Sequence, residues 1–213
     1  MDEAHSHAGA DDDARLWGGT TLADRRAGRR EKLLAAGLDL LGSAEPGSVS
    51  VRAVCRRAQL TERYFYESFA DRDALVVGVY DEVAAETQRV LLEATQGLED
   101  PEEVARAAVE AMVGLILDEP RKGRVLLLAP ITEPRLASRG MRFVPAVIEM
   151  VREHLSRDAS EQDRAMIATG LIGALMGLFH GFLAGTLEGV TRAQFVEHCV
   201  RLLVTVRRLE TGG

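Results

Sequence analysis

Helix start and stop signals follow one another along this 213-residue chain, and strands are hard to place anywhere in it. Leucines recur at three- and four-residue steps in a first segment, which Asp24 opens and Gly42 ends. Asp100, Pro101 and Glu103 combine a capping aspartate, a proline in the first turn and a glutamate three residues after the cap. We therefore predict an all-α protein of about nine helices.

The other predicted helices rest on the same kinds of signal. They are two short helices after Ser50 and Thr61, a long helix over 72–96, an apolar segment over 125–129 that Pro130 stops, a helix from Pro134 to about Arg157 that Pro145 brackets or kinks, and two long helices over 160–187 and 191–209. Thr191 and Gln194 form a predicted capping box at the start of the last one.

Charge is distributed unevenly in this acidic chain, whose formal net charge is -7. Residues 1–14 carry a net charge of -5, residues 15–75 carry +3, and residues 76–213 carry -5. Within 25–66 there are nine basic residues against four acidic ones. This segment is the basic part of the protein, as a nucleic-acid-binding surface requires, although a solvated face gives the same pattern.

The N-terminal segment and the two cysteines predict a cytoplasmic protein. Residues 1–20 are predicted to be a disordered acidic tail, without the apolar stretch of a secretory signal. Cys55 and Cys199 belong to no pairing or metal-binding motif, which fits a reducing compartment. We therefore expect the protein to act in the cytoplasm.

The most informative segment runs from Ser50 to Phe69, where two short helices are separated by a tight turn. This is a helix-turn-helix pattern, whose second helix can enter the major groove of DNA. The polar side chains of the second helix gather at its start, from Thr61 to Tyr66, while Phe65 faces inward. Base edges and phosphates would meet the helix at that end.

Three short sequences carry a family resemblance: Ser50-Val51-Arg52-Ala53-Val54, then 58–66 (Ala-Gln-Leu-Thr-Glu-Arg-Tyr-Phe-Tyr), then 69–75 (Phe-Ala-Asp-Arg-Asp-Ala-Leu). Over about 29–79 the chain resembles the TetR (tetracycline-repressor-like) family of transcriptional regulators. Two positions depart from the family pattern: Gln59 replaces the usual turn glycine and Arg72 the usual lysine. The remaining two thirds of the chain agree only in the number and length of the helices.

The resemblance implies a fold, a domain division and a set of DNA contacts. A three-helix DNA-binding domain over 21–75 would precede a larger helical domain over 76–213 that binds an effector and forms the dimer. Base edges would be contacted by Arg52, Arg63 and Tyr64, and phosphates by Ser50, Thr61, Tyr66 and Arg72. Arginine suits the bidentate contact to guanine, whereas hydroxyl groups suit phosphate oxygens.

Several charged residues of this region have two interpretations each. Glu62 either accepts from a cytosine amino group or stabilises the helix N-terminus, and we favour the second. Arg56 and Arg57 are better explained as a solvated face than as DNA contacts. An arm reaching the minor groove or nearby phosphates is one interpretation of the four arginines around the first helix start: Arg25, Arg26, Arg29 and Arg30.

The segment 165–187 contains no charged residue and is long enough to cross a membrane. It has no flanking aromatic belt, and Gly173, Gly177, Gly181 and Gly185 recur every four residues. Such spacing lets two helices approach closely, either two copies of this helix or this helix and the last one. We favour a homodimer formed through the last two helices, as the resemblance implies, over a membrane span.

No motif for catalysis or for a cofactor is found, so we expect neither enzymatic activity nor a cofactor nor a metal. The second domain is instead rich in large apolar residues that can line a pocket or simply fill a core. The predicted effector-binding residues are Met112, Phe143, Met150, Met176, Phe179 and His180. His180 or Arg142 would supply the few polar contacts, although a core histidine is the commoner role for a residue like His180.

These observations predict a DNA-binding regulator, most simply a repressor that leaves an inverted-repeat operator when a mostly hydrophobic effector binds. The alternative is a helical small-molecule-binding protein or enzyme with a vestigial helix-turn-helix. The sequence does not identify the operator, the effector or the regulated genes.

Overall fold

A computed structural model describes residues 21–44, 49–153 and 160–210, without the side chains of 141–143, 146, 150, 153 and 205–210. The predicted acidic tail over 1–20 lies outside these residues. Ten helices and no strand make up the described part of the chain. They are α1 (Leu22–Leu41), α2 (Val51–Ala58), α3 (Glu62–Tyr66), α4 (Arg72–Thr95), α5 (Pro101–Ile116), α6 (Pro120–Leu127), α7 (Ala129–Thr132), α8 (Pro134–Glu153), α9 (Glu161–Leu183) and α10 (Arg192–Glu210).

The first three helices have the arrangement that the sequence predicts. Thr21 caps α1 in a reciprocal capping box with Asp24, so the helix begins two residues before the predicted start. The Ser50 hydroxyl accepts a hydrogen bond from the backbone N–H of Ala53 and caps α2. Gln59 ends α2 in the left-handed conformation, with φ of 56° and ψ of 40°. It thus adopts a conformation that favours glycine, and the tight turn is kept without one.

The long helix α4 carries apolar side chains into both halves of the molecule. Asp71 caps it, and one face of the helix, which begins with Leu75 and ends with Leu91, is buried against α1, α5, α6 and α8. One cluster of buried apolar residues extends from Leu33 on α1 to Val200 on α10. The predicted domain boundary at residue 75 therefore falls inside a continuous helix whose core contacts continue on both sides.

Two prolines in the second half lie within helices, and one of them, Pro130, was predicted to stop a helical segment. The apolar segment around 125–129 divides into α6 and α7, and Pro130 lies in the first turn of α7, where no backbone N–H is needed. Pro145 lies inside α8, which continues to Glu153. The helix α9 ends at Leu183 rather than near 187, since Gly185 adopts a positive φ of 73°.

Gly42 brings the end of α1 against the backbone of α6. A Cβ atom at this position would overlap the backbone of Arg121, including its carbonyl oxygen. Arg124 of α6 also donates a hydrogen bond to the carbonyl oxygen of Gly42 at 3.3 Å. The first three helices are therefore attached to the larger helical part through a close backbone contact that only glycine permits.

We expect Gly42→Ala to lower the free energy of unfolding by about 1 to 3 kcal/mol, because α1 and α6 must move apart to admit the methyl group. The φ of Gly42 is -87°, so alanine meets no backbone strain there. Gly28→Ala on α1 is the matched control: its Cβ meets nothing within 4 Å, and better helix propensity should add up to about 1 kcal/mol. Urea unfolding of both variants measures the change in the free energy of unfolding. Equal midpoints would contradict the conclusion that the contact at Gly42 requires glycine.

Candidate nucleic-acid interface and ligand cavity

Two arginines of α2 and α3 extend into solvent next to one another. The side chains of Arg52 and Arg63 are 88% and 85% exposed, the most exposed partners among the described ion pairs. Arg52 pairs with Glu62 at 3.4 Å, and Arg63 pairs with Glu67 at the same distance. Exposed pairs of this length contribute little to stability, so a stronger anion can replace either carboxylate.

Three hydroxyl groups lie at the ends of these helices: those of Ser50 and Thr61 at the starts of α2 and α3, and that of Tyr66 at the end of α3. Thr61 occupies the N-cap position of α3, but its exposed side chain makes no capping hydrogen bond. Tyr66 is 57% exposed and lies edge-on against Phe65, whose ring is fully buried. Ser50 is half-buried and caps α2 with its hydroxyl. The buried Phe65 side chain thus packs α3 against the core, and Thr61 and Tyr66 lie on the solvent-exposed side of this helix.

Two of the four arginines of α1, Arg29 and Arg30, pack on the helix-turn-helix region. Because α1 begins at Leu22, all four lie within the helix. The guanidinium of Arg29 lies 4.5 Å from the centre of the half-buried Tyr64 ring and donates to Glu67. Arg30 lies 5.0 Å from the centre of the Phe69 ring. Arg25 and Arg26 are exposed on the first turns of α1.

Arg57 and Arg121 share one carboxylate, that of Asp39 on α1. Arg57 donates two hydrogen bonds to it, at 2.7 and 2.9 Å, and Arg121 of α6 donates another. Burial alone would raise the pKa of Asp39, but these hydrogen bonds hold the pKa below its usual value. This agrees with the interpretation that Arg57 does not contact DNA, and it adds an ionic link between α1, α2 and α6.

Arg72 has partners that the sequence did not reveal. Its guanidinium donates to both carboxylate oxygens of Glu133, at 2.8 and 2.5 Å, and also to Asp73 and to the backbone oxygen of Val49. The hydrogen bonds to Glu133 raise the pKa of Arg72 above the ordinary arginine value. In this arrangement most of the guanidinium N–H groups of Arg72 are already paired, chiefly with a residue 61 positions later in the chain, so the predicted phosphate contact would compete with Glu133.

Two adjoining cavities lie between α4, α6, α8 and α9. The larger, of about 560 Å³, is lined by residues that include Tyr80, Pro130 and Gly140. The smaller, of about 100 Å³, reaches Leu91 and Leu203. Three side chains line both cavities: Leu127, Val144 and Met176. Among the described residues, the side chains that line the two cavities are apolar, apart from Tyr80, whose hydroxyl oxygen is itself covered.

The predicted effector-binding residues divide into three groups. Met112, Met176 and Phe179 line the smaller cavity. Phe143 and Met150 lie on α8, but their side chains, like that of Arg142, are outside the described part. The prediction that His180 contacts the effector is corrected here, because the residue is exposed and lines neither cavity. Its neighbour Phe179 faces the core, and one residue further along a helix the side chain points about 100° away.

Tyr80 is the polar cavity residue that sequence reasoning missed. It is only 2% exposed, and its hydroxyl makes no hydrogen bond in the described part of the chain. Burial is the main cause that raises the pKa of Tyr80, so the phenol stays protonated at neutral pH. In the sequence it appears as one more aromatic residue of an apolar helix face, and nothing there signals an unpaired hydroxyl.

No metal site is found in the described residues, where His, Cys, Asp and Glu never gather in a group of three or more. Both cysteines are buried, and burial raises the pKa of Cys199 to about 11. A thiol that stays protonated is a poor nucleophile and a poor metal ligand. The cysteines therefore serve as small apolar core residues.

The helix α9 presents small and apolar residues to solvent. It is the one described helix long and apolar enough to cross a membrane, with a mean hydropathy of 1.8 over a window that is only 22% buried. Gly170, Gly173 and Gly177 are exposed, and a Cβ atom on any of them would meet nothing within 4 Å. Gly181 differs, because a Cβ there would lie 3.1 Å from the hydroxyl oxygen of Thr186 in the same chain.

Comparisons with known proteins identify the fold. No protein-family model matches the chain. No curated protein sequence matches it either. Solved structures do: a TetR-like transcriptional regulator from Rhodococcus sp. RHA1 is similar over 87% of this chain and 97% of its own, with a TM-score of 0.69 and 19% identity.

Two further solved structures share this fold at low identity. The fatty acid degradation regulator FadR from Bacillus halodurans covers 87% of this chain and 95% of its own, with a TM-score of 0.65 and 11% identity. The multidrug binding protein EbrR, complexed with imidazole, covers 84% and 94%, with a TM-score of 0.63 and 18% identity. The predicted resemblance is thus confirmed at the level of the whole fold, which is that of TetR-like transcriptional regulators.

Proposed function

We propose that this protein is a homodimeric DNA-binding transcriptional regulator, a repressor that a mostly apolar effector releases from an inverted-repeat operator. Residues 21–75 bind DNA in this proposal, and residues 76–213 bind the effector and form the dimer. It is not an enzyme, and it acts in the cytoplasm. The alternative, a small-molecule-binding protein with a vestigial helix-turn-helix, predicts no sequence-specific DNA binding.

One observation supports the proposal: the outer face of α2 and α3 presents arginine and hydroxyl side chains, and the two arginines form only exposed ion pairs of 3.4 Å. Arg52 and Arg63 are almost fully exposed, and Thr61 and Tyr66 lie beside them. The chain as a whole has a net charge of -7, whereas 25–66 holds nine basic residues against four acidic ones, so the cations of this face belong to the basic part of the protein. Arginines reach base edges and the hydroxyls contact phosphates when α3 enters a major groove.

A second copy of the chain is the partner proposed for the exposed face of α9. Glycines three and four residues apart form a flat stripe, which lets two helices approach closely in water as well as in lipid. The two-fold axis of such a dimer would place two recognition helices on equivalent half-sites. Among the described side chains of α10, over 192–204, the exposed ones are mostly polar and include Gln194, Glu197 and Arg201. We therefore assign the apolar part of the interface to α9 and the rim to α10.

The cavity and the candidate DNA interface are connected through α7. Pro130 and Ile131 of this four-residue helix line the larger cavity, and Glu133 follows directly after it. Glu133 holds Arg72, which holds the backbone oxygen of Val49 just before α2. An effector that shifts α7 therefore changes how Glu133 holds Arg72, and binding of the effector and of DNA become linked.

Two substitutions on α3 test the division of roles. We expect Arg63→Ala to cost about 1 to 3 kcal/mol of specific binding and to relax the preference at one base pair. Tyr66→Phe removes only a hydroxyl near phosphates and should weaken specific and random-sequence binding alike. Mobility shift with DNA from upstream of the gene and with random DNA of equal length measures both.

Arg89→Ala is the matched control for Arg63→Ala, because Arg89 is an exposed arginine of α4 in the same kind of i, i+4 pair. It should leave specific binding almost unchanged. Equal losses on specific and random DNA for both α3 variants would contradict the division of roles. Absence of any sequence preference in the wild-type protein would favour the alternative function.

The dimer prediction concerns Gly177. We expect Gly177→Leu to dissociate the dimer, since a large side chain in each copy forces the two α9 helices apart at about 1 to 3 kcal/mol per copy. Gly28→Leu on α1 is the control, because its surroundings are also open but lie elsewhere. Sedimentation equilibrium measures the assembly state. A Gly177→Leu protein that stays fully dimeric would remove this face of α9 from the interface.

Glu133→Gln tests whether Glu133 and DNA compete for Arg72. Loss of the charge should free Arg72 for a phosphate and raise affinity for every DNA sequence, on the order of three- to tenfold at low salt, with a steeper salt dependence. Glu93→Gln changes the net charge equally but lies in an exposed pair and should change little. DNA-binding titrations of both variants at several salt concentrations measure the affinity and its salt dependence. A fall in affinity would make Arg72 a structural link only.

A further inference from the structure

The Tyr80 hydroxyl is a buried polar group without a hydrogen-bond partner in the described part of the chain. The residue is 2% exposed, and it lines the cavity of about 560 Å³. Buried hydroxyls almost always have a partner, since an unpaired one loses its hydrogen bonds with water and gains none. A hydroxyl left in this state beside a cavity of ligand size marks a place for an incoming partner.

The nearest charged groups do not supply that partner. Asp81 and Arg139 lie close enough to affect the pKa of Tyr80, but they pair with each other at 2.5 and 2.6 Å. The described side chains that line the two cavities include no charged group. A carboxylate, phosphate or ammonium group placed against the covered Tyr80 hydroxyl would lose its hydration there and gain no ionic partner among the described side chains, which disfavours charged ligands.

The shape of the space adds a second constraint. Tyr80 lies at the larger cavity and Leu91 at the smaller one, eleven residues apart on α4, or about 16 Å along the helix. Leu127, Val144 and Met176 line both cavities and form their common wall. Methionine is flexible, so Met176 can move aside for a chain that continues from one cavity into the other.

We propose that the Tyr80 hydroxyl anchors an uncharged, elongated lipophilic molecule with one hydrogen-bonding group, such as a ketone or an alcohol, at its Tyr80 end. The apolar chain of this molecule extends past Met176 towards Leu91. This assignment rests on the proposed effector-binding function and adds the chemical class of the effector.

The anchor also connects the ligand to α7. The hydroxyl oxygen is covered in the unliganded chain, and a Cβ atom at Gly140 would lie 3.8 Å from it and 2.8 Å from the Cβ of Pro130. A ligand therefore reaches the hydroxyl when α7 and α8 separate slightly at the Pro130–Gly140 contact. Because Glu133 lies at the end of α7, the movement that pairs the hydroxyl also moves the group that holds Arg72.

The test uses Tyr80→Phe in the full chain and three ten-carbon probes: decan-2-one, decane and decanoate. Binding is measured without DNA, by displacement of the neutral apolar dye Nile red. The wild-type protein should bind decan-2-one more tightly than decanoate, and Tyr80→Phe should bind decan-2-one about tenfold more weakly. Affinity for decane should be the same in both proteins, since decane makes no hydrogen bond.

The unliganded variant provides an independent readout. Tyr80→Phe removes an unpaired hydroxyl and keeps the ring, so its thermal midpoint should equal or exceed that of the wild-type protein. Equal affinity of both proteins for decan-2-one, or tighter binding of decanoate, would overturn the proposal. Failure of the regulator proposal itself is distinguishable, because it appears as absent sequence-specific DNA binding in the mobility-shift assay, whatever the probes do.

Discussion

The helix α4 is the element on which both parts of this molecule are assembled. Its first residue, Arg72, reaches back to the loop before α2, its next two turns bury Leu75 and Val79 against α1, and its middle brings Tyr80 to the cavity. A helix of 24 residues transmits displacement along its axis because each turn is hydrogen-bonded to the next. The candidate DNA interface and the cavity are thus both linked to α4, and α7 supplies a second connection between them.

Ionic contacts between distant parts of the sequence determine how the first three helices are held. Asp39 joins α1 to α2 and α6, and Glu133 joins the end of α7 to the start of α4. Exposed ion pairs contribute little individually, but these carboxylates each accept from more than one donor and are largely shielded from solvent. They orient the helix-turn-helix more than they stabilise the fold, which is the task of the apolar core around Phe65 and Val79.

Local signals made much of the fold predictable from the sequence. The capping residues Ser50, Asp71 and Asp100 act within three residues of themselves, so the helix starts that they mark are confirmed. Long-range partners were not predictable. Arg72 pairs with Glu133, and no local sequence pattern indicates that these two side chains meet. His180 was misplaced for another reason. Because α9 is apolar on every face, its periodicity does not distinguish the side that lines the cavity from the side that faces outward.

Selection of bound sequences from a pool of random DNA tests the central claim most directly, since it requires no knowledge of the operator or the effector. If the protein reads DNA as a two-fold dimer with α3 in the major groove, the enriched sequences form an inverted repeat. Their half-sites should be centred about 10 base pairs, or a small multiple of that, apart. Enrichment of no sequence, or of a single half-site without its inverted copy, would contradict the account of a dimeric DNA-binding regulator.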